Sequence, residues 1–496
     1  MIETDVPNSP GWWLNILGRE LQDRRLGRLG GRRWNRHASK PQRVRPGIEL
    51  LHDHLEGDPP LPECATGWSE HFRSVQRLGR LNVAALAIEA KSNRMKLRDF
   101  RTAAPDDTLG DKVARDIMRA TNMRVVARDV HDGMLALADS YAMATPPAKG
   151  EKFPLVTFED AREVITAHDP ATGQTRAAVK MFRDEWDSTD FAYLFVRESD
   201  GTVRKYVAFK ERGMSTLGES PFRVVGNMWD WREDDFAVPV PENRMPIVRF
   251  RNYRGRGEYE PHLATLDRIN DKILNEMTIA KVQAFRQRAV KGLPDTQVQM
   301  VDGKPTQVQI DYEGVFESAP GSLWQVPTGV EFWESGVVDM TGIRMAIKDD
   351  LEHFAAVTST PLHTITPDAA SGSAEGASLM RESSVDAAQT RIDHADRSWA
   401  EVMATCFAFM GDKVRADVTQ IEPVWGPVER YSLSEKADAA SKAKTTLPDE
   451  AIQRDIWQYE PAEIPNLRSM RGADLLFQTP SQGANGAAVG TGTLGA

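Results

Sequence analysis

Cysteine is almost missing from this chain, with only Cys64 and Cys406 among 496 residues. So distant a pair reads as buried thiols rather than a disulfide, and fits a reducing compartment. Long apolar runs are missing as well. No stretch approaches the roughly 20 residues that cross a bilayer. Trp12 and Trp13 are not followed by an apolar core and a small-residue cleavage site, so no signal peptide is expected. Positive charge is not in excess: the net charge is −10, which argues against simple coating of nucleic acid. The motifs that carry chemistry are absent too. There is no G-x-x-x-x-G-K-[ST] phosphate loop, no G-x-S-x-G elbow and no H-E-x-x-H, and Gly255-Arg-Gly257 lacks the third glycine of a dinucleotide loop. His52-Asp-His54 has no second ligand pair beside it. Glu233-Asp-Asp235 and Asp349-Asp350 have the composition of nuclease clusters, but adjacent residues on a helix point apart. A solvated acidic face explains them, so the expectation is no catalytic residue, no metal and no cofactor.

What is present is ordinary for a soluble chain of several parts, with 41% hydrophobic and 27% charged residues. Between Arg19 and Arg45 lie Arg24, Arg25, Arg28, Arg32, Arg33, Arg36, Lys40 and Arg43. That run is either a solvated arm or one that contacts an acidic partner or a neighbouring subunit. Residues 10–36 begin as a helix, with Trp13, Leu14, Leu17 and Leu21 on one face, until Gly27, Gly30 and Gly31 break it. Further helices are expected over Gly67–Ala90 and, as a pair broken near Asn122, over Leu109–Met143. After Pro146-Pro-Ala-Lys-Gly150 come short β-type runs at Ala177–Phe182, Phe191–Val196 and Lys205–Phe209, separated by turns, as in an antiparallel meander.

The middle third is the most informative. A strand, Met245–Asn252, leads into a long helical pattern over Pro261–Lys291 whose stripe includes Leu266, Ile273 and Met277. A Pro- and β-rich insert follows at Pro294–Ser335, then a second helix, Val337–Val357, with Ile343, Ile347 and Leu351 on its apolar face. The loop Thr358–Gly372 is long enough to be functional or mobile. A third helix spans Ala374–Met410, ended by Gly411, and two short helical patterns lie at Ser434–Lys444 and Pro448–Gln458. Gln478–Ala496 carries no charge and reads as disordered. Two helices flanking a β-rich insert suit a stalk better than a catalytic pocket.

Several local patterns, in order, resemble the portal (head-to-tail connector) proteins of long-tailed double-stranded DNA bacteriophages. They are Asn122–His131 leading to Ala138-Asp-Ser-Tyr141, read as a helix with its ending; Pro246-Ile-Val-Arg-Phe-Arg-Asn252; Asp267-Arg-Ile-Asn270; Gln287-Arg288 with Gly292; Pro320-Gly-Ser-Leu-Trp324; Pro361-Leu-His363; Ser373-Ala-Glu-Gly-Ala377; Ala437-Asp-Ala439 with Lys442; and Trp457–Ile464. Gly30-Gly-Arg-Arg-Trp34 departs from the family's Tyr-rich turn.

The resemblance implies an α+β, elongated subunit that assembles as a ring of about twelve copies. It implies a wing at 1–260, stem helices at 261–293 and 336–357 around a clip at 294–335, and a tunnel loop at 358–373. A long wing helix and return strand at 374–433, a crown at 434–477 and a disordered tail at 478–496 complete it. It places Lys348, Asp349, Glu352, Thr358, Thr360, His363, Thr364 and Ser371 along a DNA channel, with Asp350 among the acidic groups discouraging adhesion. Asp311, Tyr312, Phe316 and Trp324 fall at the motor-docking clip, and Leu266, Ile273, Met277, Ile343, Ile347 and Leu351 between subunits. The implied partners are further copies of the chain, duplex DNA, the terminase large subunit, a head-completion or adaptor protein, and the major capsid and scaffolding proteins. No membrane is implied. The implied location is the capsid vertex of a virion assembled in the host cytoplasm. The alternatives are a metal-dependent phage nuclease and a monomeric assembly adaptor.

Overall fold

The computed structural model describes residues 2–27, 45–61, 76–102, 104, 110–211, 229–284, 288–301, 303–309, 329–334, 336, 338–365, 374–429, 431–460 and 463–477. The arm beyond Gly27, the Pro320–Trp324 turn and the 478–496 tail lie outside them.

The helices are α1 (Pro10–Leu26), α2 (Ile48–Glu56), α3 (Val83–Ser92), α4 (Lys112–Ala120), α5 (Met123–Leu137), α6 (Leu263–Ala284), α7 (Thr341–Val357), α8 (Leu362–Ile365), α9 (Ala374–Phe409), α10 (Leu433–Ala443) and α11 (Ile464–Phe477). A short turn at Asp449–Ala451 continues into a π-type turn, Ile452–Ile456. The strands are β1 (Leu97–Arg101), β2 (Asp139–Thr145), β3 (Leu155–Glu159), β4 (Val164–His168), β5 (Thr175–Asp184), β6 (Thr189–Arg197), β7 (Val203–Glu211), β8 (Asp230–Trp231), β9 (Val238–Pro239), β10 (Ile247–Arg251), β11 (Arg288–Lys291), β12 (Thr296–Val301), β13 (Lys304–Gln309), β14 (Glu331–Glu334) and β15 (Glu422–Trp425).

The chain divides into two compact units. One holds Met1–Gly57, Asn82–Pro261 and Ala355–Ala496; the other holds Asp58–Leu81 and His262–Phe354. In the first, β4 to β8 form the expected antiparallel meander, with β9 paired to β7. Alternation along its strands sends Val179, Met181, Ala192 and Leu194 to one face, where Trp13, Leu14, Leu17 and Leu21 of α1 cover them. α1 starts where Ser9 accepts from Trp12 N and Pro10 fixes the first turn, and it ends at Gly27, whose φ is 72°. The Met245–Asn252 strand is not part of this meander. As β10 it pairs with β2, which also pairs with β3, in a separate sheet.

That sheet corrects the expectation for Leu109–Met143. α4 and α5 are the helix pair, with Asn122 in the left-handed region between them (φ 50°). The chain then leaves the helix at Ala138 (φ 75°), so Ser140 and Tyr141 lie on β2 and not in a helix ending. β2 is buried through most of its length, and a short run buried on both faces carries no period that separates strand from helix.

The second unit corrects the length of the first long helix. α6 ends at Ala284, and Arg288–Lys291 is strand β11, paired antiparallel with β14. Lys281 is the basic residue in the last turn of α6, where a cation suits the helix dipole, while Arg288 and Lys291 lie on β11. Gly292 (φ 91°) and Pro294 follow, and β12 and β13 form a hairpin turned at Gly303 (φ 73°). In the first unit, β15 pairs with β1, and α11 lies within the 434–477 segment expected to be a helical crown, beyond the two short helical patterns read there.

Candidate functional site

In the second unit α6 and α7 run antiparallel, and a polar seam joins them. Arg268 donates to both oxygens of Asp350, at 2.9 and 2.8 Å. Lys272 donates to the Ala346 carbonyl at 3.1 Å and lies 2.8 Å from Asp350. Arg344 donates to Glu276 at 2.7 Å, and Gln283 to the Val338 carbonyl at 3.2 Å. Partners descend α7 as they ascend α6, which is the signature of a helical hairpin. Asn270, from the Asp-Arg-Ile-Asn pattern, is buried and accepts from Leu81 N at 3.0 Å. Gly79 of the same Asp58–Leu81 segment sits so close to α6 that an added Cβ would lie 3.1 Å from Leu274 Cβ.

The seam sets the character of the acidic pair on α7. Asp350 is buried, and Asp349, one residue earlier, is exposed. The hydrogen bond from Arg268, with help from Lys272, holds the Asp350 carboxyl at about 2 against the opposing pull of burial. A carboxylate held below its ordinary value of 3.8 contributes stability that is present above that value and lost as pH falls through about 2. Acid titration followed by helical circular dichroism is therefore expected to show Asp350→Asn losing helix at a higher pH than the parent chain. An unchanged acid transition would contradict the seam. Asp350 is also corrected as a repelling surface charge, because two cations already neutralise it.

The other expected channel residues are placed as follows. Lys348 and Asp349 are exposed, and Lys348 lies 3.9 Å from the partly exposed Glu352. His363 is exposed on α8, and Thr364 is half-buried beside it. Thr358 and Thr360 are buried, their hydroxyls 2.8 Å apart. Ser371, Asp311, Tyr312, Phe316 and Trp324 lie outside the described residues. Of the apolar stripes, Leu266 and Ile347 are buried, while Ile273, Met277, Ile343 and Leu351 are half-buried.

The root of the segment after α7 carries charges that no local pattern announces. In the first unit, the ammonium of Lys91, on α3, is fully buried and donates to the Thr358 carbonyl at 2.5 Å. It lies 3.5 Å from Glu258. Arg391 of α9 grips both oxygens of Glu258, at 2.9 and 3.0 Å, and Asn252 adds a bond at 2.9 Å. Burial pushes the Glu258 carboxyl up, but Lys91 and Arg391 overcome it and leave it below the ordinary range. Burial lowers the Lys91 ammonium despite Glu258. One ion cluster thus ties together Thr358, just before α8, and α9, just after the 358–373 segment. Their sequence separation is why motif reading missed them.

The chemistry-bearing candidates stay scattered. Among the described residues no group of three or more His, Cys, Asp or Glu could hold a metal, and no helix is long and apolar enough to cross a membrane. The Nδ1 of His54 pairs with the Leu50 carbonyl at 2.8 Å. Cys406 is buried, and burial pushes its thiol up to about 12, leaving little nucleophilic thiolate.

The described residues thus form a mixed helix-and-sheet chain, with a polar-seamed hairpin and the strands between its helices in the second unit and an ion-clamped segment in the first. The model of the family "Phage portal protein, SPP1 Gp6-like" matches residues 53–467, and the chain belongs to that family, which is structural. Two solved structures also resemble it. The neck of a native GTA particle, computed with C12 symmetry, matches at 10% identity and a TM-score of 0.40, covering 83% of this chain and 99% of that one. The neck of an empty GTA particle, computed with C6 symmetry, matches at 12% identity and a TM-score of 0.40, covering 79% and 94%. Neither likeness carries the family assignment. No curated protein matches.

Proposed function

We propose that this chain is the subunit of a ring-shaped portal at one capsid vertex, through which double-stranded DNA is packaged and later ejected. The observation that carries the reading is the family match across residues 53–467. The antiparallel α6–α7 hairpin supports a stem at 261–293 and 336–357, with 294–335 as the clip. The clip, through Asp311, Tyr312, Phe316 and Trp324, would meet the terminase large subunit and then the head-completion protein. The wing, 1–260 and 374–433, would meet capsid and scaffolding proteins during assembly in the host cytoplasm, and 434–477 would form the crown. About twelve copies would close the ring through Ile273, Met277, Ile343 and Leu351. The subunit would have no catalysis of its own; the energy for packaging would come from the separate motor.

A channel must pass a densely anionic duplex without gripping it. The exposed face of α7 offers Asp349 and Glu352 with Lys348, an acidic mixture suited to weak, transient contact. Reversing Asp349 and Glu352 to lysine is expected to slow DNA passage in a packaging assay, with the defect relieved by added salt. Packaging at the parent rate would end the low-adhesion idea. For the function itself, capsids assembled in cells lacking this chain are expected to hold no packaged DNA, and supplying the chain restores packaging. DNA-filled capsids without it would overturn the reading.

A further inference from the structure

The turn joining β5 to β6 presents an indole to solvent. Trp186 is 97% exposed, the most exposed large apolar side chain among the described residues. Its turn is fixed. The Asp184 carboxylate accepts from Trp186 N at 2.9 Å and from Asp187 N at 3.3 Å, and Ser188 takes a left-handed φ of 51°. The tip is acidic, with Asp184, Glu185 and Asp187 around the one aromatic. The hydrogen bonds order the backbone of the turn while the indole on it stays solvated, so a large apolar surface is displayed at a defined place, which suits a binding anchor.

The same sheet carries a receptacle. Along the face of the meander opposite α1, a cleft of about 280 Å³ is lined by Met143, Tyr193, Phe195, Lys205, Val238 and Pro246, among others. It is mostly apolar and aromatic, and the Lys205 ammonium lies 4.8 Å from the centre of the Tyr193 ring. Exposed Lys149 and Lys152, with Glu151 between them, lie on the segment that leaves the cleft at Pro146. The cleft therefore suits an aromatic side chain flanked by acids. The chain's own tip does not reach it. Tyr193 and Phe195 stand four to six residues along β6 from the turn at Thr189, about 14–20 Å at strand rise.

A ring built from one kind of subunit needs two different, complementary patches on each copy. A knob at one end of a sheet and a cleft toward the other end of the same sheet meet that need. We propose that Trp186 of one copy seats in the Tyr193–Lys205–Val238 cleft of the next, with Glu185 and Asp187 facing Lys205. This rests on the ring reading above, and its occupant is a second copy of this chain.

The test uses Glu185→Cys with Val238→Cys, which keeps Trp186, in a Cys64→Ser background and in the full chain. Rings are isolated by mass, from capsid-containing cells if the free chain does not assemble, and then oxidised. The expected result is a ladder of covalently linked subunits on a denaturing gel, absent from either single variant. Adding Trp186→Ala, which removes no packing within the chain, is expected to lower linking about tenfold or more. In the chain without the added cysteines, Lys205→Glu is expected to weaken ring assembly, and a second change, Glu185→Lys, to restore it. Intact rings with no ladder overturn the docking and leave the portal reading standing. Linking within single chains, or a capsid protein captured at position 185, likewise overturns it. Failure to assemble in any setting overturns both.

Discussion

Glu258→Ala is expected to cost about 3–5 kcal/mol of folding stability, because it leaves two cations facing each other without their anion. Lys91 is completely buried, and Arg391 donates both of its bonds to the carboxylate being removed. Lys91→Met is expected to cost less, since Arg391 continues to neutralise Glu258 and burial already disfavours the ammonium. The signature that separates the cluster from generic packing is local. Either change strips or loosens the donor on the Thr358 carbonyl, so amide exchange over residues 358–365 is expected to accelerate more than exchange in the β4–β8 sheet. The pH dependence has a definite sign. The Glu258 carboxyl is depressed, so its contribution is complete above the ordinary carboxylate value and is lost as pH falls through the lower folded value. Urea unfolding of the two variants measures the difference. A Glu258→Ala chain as stable as its parent would remove the clamp from the account.

Trp399→Ala is expected to cost a further independent amount of about 3–5 kcal/mol, as for other large aromatic truncations. Trp399 is fully buried on α9. Its indole N–H donates to His131 Nε2 at 2.9 Å, and its ring lies 4.7 Å from that of Phe250 on β10. The substitution opens a cavity between α9 and the β2–β10 pair and leaves His131 without its donor. Burial already holds that imidazole near 3, so it stays neutral and takes up no proton in compensation at pH 7. Trp399→Phe is expected to recover most of the volume but not the hydrogen bond, and so to fall between. None of the partners named for Glu258 is among those named for Trp399, so the two costs are expected to add.

Much of this was legible in the sequence for local reasons. The α1 face declared itself through Trp13, Leu14, Leu17 and Leu21, and Gly27 marked its end. The meander declared itself because its strands alternate and its turns carry Asp169-Pro-Ala-Thr-Gly173 and Glu198-Ser-Asp-Gly201. The divergence of Asp349 and Asp350 followed from helix geometry, but which of the two is buried depended on Arg268 and Lys272 across the hairpin. Non-local pairing explains the rest. β2 hid because both of its faces are covered, and β11 hid because its partner β14 comes forty residues later. The Lys91–Glu258–Arg391 cluster draws one residue from each of three distant segments, and nothing near any of them in the sequence marks it. The family pattern singled out the 358–373 segment, but not the cluster at its first residue.

The most direct measurement is electron microscopy of the purified assembly with its mass determined in parallel. The account predicts a closed ring of many copies around a central opening wide enough for duplex DNA, with the α6–α7 hairpins lining the passage. A compact particle with no opening, or a chain that stays monomeric even when expressed with its capsid proteins, would contradict it.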